Sequence, residues 1–215
     1  MHLLNRLLIV LILFIPFAAS AASFDCQKAR SKTEKSICVN PDLSKLDEEL
    51  NSAYQRALSV VPDRSVVVQW QREWLMREVQ VCTQSSCLKN AFSSRLALLQ
   101  QVAPKGTATA AWNGAYFRYS NGKIDRDSAS ITLIGLNGED VYIFGNALWY
   151  GANWRIGQIN DGEIEGIGKL NQRHIKFDID GCNGEMSLIG KALVIENESG
   201  CGGLNVTFNG RYMQK

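Results

Sequence analysis

The chain has 215 residues, of which 46% are hydrophobic, and its 23 basic and 21 acidic residues give a formal net charge of +2. This length and apolar content suit one or two folded domains and exclude an intrinsically disordered chain. The near-neutral balance provides no basic field for phosphates, so we expect no nucleic-acid partner.

The first 22 residues have the pattern of a secretory signal peptide. Arg6 supplies the basic start, residues 7–17 form an apolar run, and residues 18–22 offer small side chains to signal peptidase. We predict cleavage after Ala22, with cleavage after Ala21 as the alternative. A retained anchor helix is disfavoured because a membrane span needs about 20 apolar residues. The mature protein is therefore expected to be periplasmic or secreted, without a membrane anchor.

Glycine and proline divide the rest of the chain into two parts. All 18 glycines lie between Gly106 and Gly210, and all four prolines lie at or before Pro104. Glycine weakens helices and serves the tight turns between short strands. We therefore predict a helical domain over residues 23–103, a linker over 104–109 and an all-β domain over 110–215.

Helical periodicity and end signals organise the first domain. Apolar residues spaced by three and four from Leu43 to Val61 predict a long helix that starts at Asn40-Pro41. A capping box, Ser31 to Glu34, predicts a shorter helix before it. Two further stripes consist of Val66, Val67, Trp70, Trp74 and Leu75, and of Leu88, Ala91, Phe92, Leu96 and Leu99. We expect Trp70 and Trp74 to be core residues.

Six cysteines in an exported chain are expected to form disulfides, and they are Cys26, Cys38, Cys82, Cys87, Cys182 and Cys201. The joint at Pro62 is short, so the two long helices should run antiparallel and bring Cys38 and Cys82 together. This favours a nested pairing, Cys38–Cys82 with Cys26–Cys87. The crossed pairing, Cys26–Cys82 with Cys38–Cys87, is the alternative.

The second domain alternates between turn dipeptides and short strands. Asn-Gly and Asp-Gly pairs recur, and in residues 173–180 Ile175, Phe177 and Ile179 share one face. We predict eight or nine antiparallel strands and a Cys182–Cys201 bridge. The expected fold class is α+β in two segregated domains: a disulfide-stapled antiparallel helical domain followed by a small antiparallel β-barrel or sandwich.

The residues that common enzymes require are missing or isolated. After signal removal only His174 remains, on a strand beside Arg173 and Lys176, which suits a surface histidine better than a catalytic one. We expect no zinc site, since the cysteines are committed to disulfides, and no nucleotide-binding loop occurs. The protein is therefore predicted to be no enzyme and to use no cofactor and no metal.

Two carboxylate pairs are candidates for a glycosidase site, and one polar group is a candidate for a calcium site. The candidates are Glu163 with Glu165, Asp178 with Asp180, and Asn121 with Asp125 and Asp127. Both pairs are expected on a solvated face of the sheet. The third group lacks the spacing of an EF-hand loop.

A cluster around Gly151 is the candidate partner-binding surface, and it consists of Trp149, Tyr150, Trp154 and Arg155. Trp, Tyr and Arg are enriched in binding hot spots, and flat aromatic rings also stack on sugars. Strand alternation points Trp149 and Tyr150 in opposite directions, so packing within the barrel is the alternative interpretation. Trp112, Tyr116 and Tyr119 would extend either interpretation.

Residues 24–100 carry a series of motifs around the first four cysteines. They are Phe24-Asp25-Cys26, Thr33-Glu34-Lys35-Ser36-Ile37-Cys38, Asn40-Pro41-Asp42-Leu43-Ser44-Lys45-Leu46-Asp47, Tyr54, Gln71-Arg72-Glu73-Trp74-Leu75, Cys82 and Cys87-Leu88. In this order they resemble the N-terminal domain of the lysozyme inhibitor LprI family. The β domain resembles other periplasmic lysozyme inhibitors only in general shape, and residues 198–203 lack their inhibitory loop motif. Unlike the family's lipoprotein founder, this chain has no lipobox.

The resemblance implies an exported, non-enzymatic binder, with a lysozyme or another muramidase as partner. Such an inhibitor would insert a loop into the sugar cleft, and Arg155, Lys191 or Arg118 would donate hydrogen bonds to the enzyme's two carboxylates. Two alternatives stay open. One is a module that binds glycans or envelope components such as peptidoglycan fragments, and the other is a periplasmic immunity protein against another wall-degrading toxin.

Overall fold

A computed structural model describes residues 22–125 and 127–214. The signal-peptide prediction lies outside the described residues, apart from Ala22. The helices are α1 (Lys32–Val39), α2 (Pro41–Val60), α3 (Arg64–Trp74) and α4 (Ser85–Gln101). The strands are β1 (Gly114–Ser120), β2 (Lys123–Ile124), β3 (Ala129–Gly135), β4 (Asp140–Tyr150), β5 (Ile159–Asn171), β6 (His174–Ile179), β7 (Cys182–Ile189), β8 (Ala192–Ser199) and β9 (Gly210–Gln214). Among the described residues, no helix is long and apolar enough to cross a membrane.

The helix starts follow the sequence signals. The Asn40 side chain accepts hydrogen bonds from the N–H groups of Asp42 and Leu43, with Pro41 in the first turn of α2. Ser31 and Glu34 form the expected capping box at the start of α1. These local signals fixed both helix starts.

Three helices form an up-down-up bundle. Lys89 Nζ of α4 lies 3.3 Å from the Asp42 carboxylate of α2, while Arg56 donates to the carbonyl of Leu99 at 2.9 Å. The N-terminal part of α2 therefore lies beside the N-terminal part of α4, and their C-terminal parts also lie together, so the two helices are parallel. The intervening helix α3 runs in the opposite direction. Trp70 and Trp74 are buried in this bundle, as predicted.

The predicted disulfide pairing of the helical domain is wrong. Both the nested and the crossed arrangement are replaced by the local bridges Cys26–Cys38 and Cys82–Cys87, with Cα–Cα distances of 5.7 and 5.5 Å. The prediction assumed that the ends of two long helices meet. Instead α1 carries Cys38 back towards the turn at Cys26, and the turn before α4 brings Cys87 to Cys82. Each bridge therefore links a helix to the segment just before it: Cys38 of α1 to Cys26, and Cys87 of α4 to Cys82.

The second domain is a closed antiparallel barrel, one of the two predicted forms. From β3 to β9 each strand pairs with the next along the chain. Strand β1 pairs with β3 and with β9, which closes the wall, and the short β2 pairs only with β1. Eight strands therefore form the wall. Its interior is filled by alternating side chains such as Ile131, Ile143, Phe177 and Tyr212. The predicted Cys182–Cys201 bridge is confirmed.

The helical domain packs against the outer face of β3 and β4. Ile134, Leu136 and Tyr142 belong to the same buried cluster as the helices, and the Trp70 and Tyr142 rings are 4.9 Å apart. The segment predicted as a linker, 104–109, is also fixed, because the Thr109 hydroxyl donates to the Leu136 carbonyl at 2.7 Å. The two domains therefore share a core.

Polar groups complete this interface. Arg77 lies over the Phe144 ring at 4.8 Å and pairs with Glu163 and, at 3.7 Å, with Glu165. The Tyr142 hydroxyl donates to Glu165. These two carboxylates are exposed on the outer face of β5, as expected, and through Arg77 they also hold the helical domain against the barrel.

Candidate partner-binding loop

The barrel has two different ends. The connections β1–β3, β4–β5, β6–β7 and β8–β9 lie at one end, which we call the open end. The connections β3–β4, β5–β6 and β7–β8 lie at the other, where Leu136 forms a bridge with Val102 of the helical domain. The candidate cluster belongs to the β4–β5 loop, residues 151–158. It therefore lies at the end away from the helices.

Internal hydrogen bonds define the shape of this loop. The Gly151 N–H donates to the Gln158 carbonyl at 3.0 Å, and the Asn153 N–H donates to the Gln158 side chain at 2.9 Å. Between them a single 3-10 turn, Trp154–Ile156, ends at Gly157, whose φ of +99° suits glycine. The loop is thus ordered by its own backbone.

The structure brings three of the four predicted residues together. The Tyr150 and Trp154 rings meet edge to face at 6.0 Å, and the Arg155 guanidinium lies 5.0 Å from the Trp154 ring centre. Trp154 remains 40% exposed. Trp149, one residue before Tyr150 on the strand, points to the opposite face of the sheet. The surface therefore consists of Tyr150, Trp154 and Arg155.

Sequence reasoning missed the aliphatic part of this surface. Ile156 is 87% exposed, and Ile159 is exposed on β5 directly opposite Tyr150. Leu204, on the β8–β9 loop at the same end, is 79% exposed. Single apolar residues inside polar turns give little signal, because isolated exposed aliphatic side chains are common. We call Trp154, Arg155, Ile156 and Ile159 the rim patch.

The β8–β9 loop plugs the open end of the barrel. Glu198 accepts hydrogen bonds from the N–H groups of Cys201 and Phe208 and from the Thr207 hydroxyl. A Cβ at Gly162 would lie 2.4 Å from the Cys201 carbonyl oxygen, so only glycine permits this approach. Because the plug and the core side chains fill the interior, a partner would bind the outer rim.

Arg118, expected as a hydrogen-bond donor on the rim, is buried, and that expectation is wrong. It is 6% exposed, donates to the Asp125 carboxylate at 3.1 Å and also donates to the carbonyls of Thr207 and Asp127. The Asp127 carboxylate in turn accepts the Tyr150 N–H at 3.1 Å. Arg118 therefore joins the β1–β3 and β8–β9 loops and supports the start of the β4–β5 loop.

The other candidates lie elsewhere. Lys191 is in the β7–β8 turn at the opposite end of the barrel from Arg155. Trp112 and Tyr116 are buried and do not extend the rim patch. His174 is exposed, as predicted. Asp125 of the suggested calcium loop pairs with Arg118, and no group of three or more metal-ligating side chains is found in 22–125 and 127–214.

Comparison with known proteins gave no match to a family model, to a curated protein or to a solved structure. The resemblance to the LprI family therefore stays a prediction from the motifs of residues 24–100. The three disulfides are typical of an extracytoplasmic protein.

Proposed function

We propose that this protein is a periplasmic or secreted binding protein that inhibits a lysozyme-type muramidase, and that it has no catalytic activity of its own. The observation that carries the proposal is the rim patch, in which an exposed Trp, Arg and Ile follow one another on an ordered loop. This composition is that of a binding hot spot. The resemblance of the helical domain to lysozyme inhibitors supplies the class of partner.

The chemistry of the rim patch suits a muramidase cleft. Such enzymes hold two carboxyl groups on either side of the scissile glycosidic bond. Inserted into that cleft, the 151–158 loop would cover its apolar walls with Trp154 and Ile156. Arg155 would donate charge-assisted hydrogen bonds to a catalytic carboxylate. The internal hydrogen bonds of the loop reduce the entropy that binding would cost.

The test is inhibition of cell-wall lysis by a lysozyme-type muramidase, with the purified mature protein. Trp154→Ala and Arg155→Ala should each raise the inhibition constant at least about tenfold, as hot-spot truncations do. Lys191→Ala and Arg173→Ala, at the opposite end of the barrel, serve as charge-matched controls and should inhibit normally. Absence of inhibition at micromolar excess, or equal inhibition by all four variants, would refute the proposal.

A second function is favoured by the exposed Trp154 ring. A flat aromatic face beside the amide of Asn153 suits stacking on a sugar of a peptidoglycan fragment. Titration with muropeptides, followed by tryptophan fluorescence, tests this directly. A spectral shift that disappears in Trp154→Ala, together with no inhibition of the muramidase, would establish glycan binding instead.

A further inference from the structure

The helical domain contains a groove of about 530 Å³ that is separate from the rim patch. All four helices contribute to it. Its floor is apolar and aromatic and includes Ile37, Leu50, Trp74 and Phe92, all of them buried. Ser23, close to the predicted signal cleavage site, forms part of its wall.

The charged side chains that line the groove are all acidic among the described residues. Two carboxylates, Glu34 of α1 and Asp47 of α2, line it, and no Lys or Arg does so among the described residues. Glu34 is occupied, because it accepts the N–H groups of Arg30 and Ser31 at 2.7 and 2.8 Å. Asp47 is therefore the carboxylate of the groove that is suited to a cation.

The group that Asp47 binds is the backbone nitrogen of Ser23, at 2.8 Å from Oδ2 and 24 positions away in the chain. Phe24, which follows Ser23 and stays in the chain after cleavage, packs against the helical cluster and fixes this segment. Cleavage after Ala22 would turn this same nitrogen from an amide into an ammonium group with three N–H donors.

We propose that the groove is an intramolecular receptor for the mature amino terminus, in which the α-ammonium group of Ser23 forms an ion pair with Asp47. The cleavage site predicted from small residues and the carboxylate found in the structure converge on one atom. Removal of the signal peptide would thus turn the hydrogen bond between Ser23 and Asp47 of α2 into an ion pair. This inference does not depend on the function of the rim patch.

The experiment compares the mature chain that starts at Ser23 with its Nα-acetylated form. At low salt the free amine should raise the thermal unfolding midpoint by about 2 °C, the size expected for a partly exposed ion pair in a chain of this length. The difference should disappear in Asp47→Asn and at about 1 M salt, where such pairs are screened. It should persist in Glu48→Gln, which removes an adjacent exposed charge of α2.

Titration of the amine by NMR provides a second measurement. Its pKa should lie above the ordinary value of about 7.7–8.0, since a neighbouring carboxylate favours the charged form, and should return to that range in Asp47→Asn. Equal midpoints for the free and acetylated chains would overturn the proposal. An exported protein whose first residue is not Ser23 would overturn it as well.

Discussion

Tyr142 is a barrel residue that packs directly against the helical domain. It is buried between β4 and the helices, its ring lies 4.9 Å from Trp70, and its hydroxyl donates to Glu165. Replacing it with alanine removes the ring contact and the hydrogen bond together. Replacing it with phenylalanine removes only the hydrogen bond.

The two substitutions should differ clearly in size. Truncation of a buried aromatic side chain to alanine costs about 3–5 kcal/mol, because the neighbours collapse only partly into the cavity. Tyr142→Phe should cost about 1 kcal/mol, the net value of one hydrogen bond, since Glu165 retains Arg77 at 3.7 Å. Tyr150→Ala, at the open end of the same strand, should cost about 1 kcal/mol or less.

Urea unfolding followed by tryptophan fluorescence and circular dichroism measures these differences. In the unmodified protein the two signals should change together, because the domains share a core. Tyr142→Ala should lower the midpoint and separate a helical transition from that of the barrel. The reasoning is refuted if Tyr142→Ala is no more destabilising than Tyr150→Ala.

Three further predictions concern the barrel. Replacing Cys182 and Cys201 together with alanine should lower the free energy of unfolding in urea by about 3 kcal/mol, because it opens a closed loop in the denatured chain; a loss below about 1 kcal/mol would contradict this. Arg118→Met should lower the free energy of unfolding by about 3 kcal/mol, measured by calorimetry, because the carbonyls of Thr207 and Asp127 lose a buried partner. The same variant should bind more weakly through the rim patch, which the lysis assay measures. Burial raises the pKa of Tyr116 to about 12, whereas in the unfolded chain it ionises near pH 10. The stability contributed by neutral, buried Tyr116 should therefore be complete below about pH 10 and be lost as the pH rises towards about 12. In the folded protein its phenolate absorbance should appear near pH 12 rather than near pH 10, and a normal titration in the folded state would disprove this.

The fold was predictable where local chemistry determines it. Asn40 followed by Pro41 fixed the start of α2, because one caps the free N–H groups and the other already has a helical φ. The confinement of glycine to residues 106–210 indicated a domain of short strands. Both signals act over a few residues and need no knowledge of the tertiary structure.

The contacts between residues that are distant in the sequence were harder to predict. The disulfide pairing depends on where α1 lies, and the residues of this short helix do not specify its position. The shared core did leave a signal, since at the end of β3 Ile134 places an apolar residue on the outer face, which Ser130 and Thr132 otherwise make polar. A strand that is covered on both sides shows this pattern. Arg118 gave no such sign, because its burial depends on loops that are distant in the sequence.

The order of the sulfur bridges has a consequence for biogenesis. The six cysteines pair first with second, third with fourth and fifth with sixth, at separations of 12, 5 and 19 residues. If the cysteines of a chain are oxidised in the order in which they emerge from a membrane, each newly emerged pair of cysteines already consists of native partners. We therefore expect vectorial oxidation to give the native connectivity without correction by an isomerase.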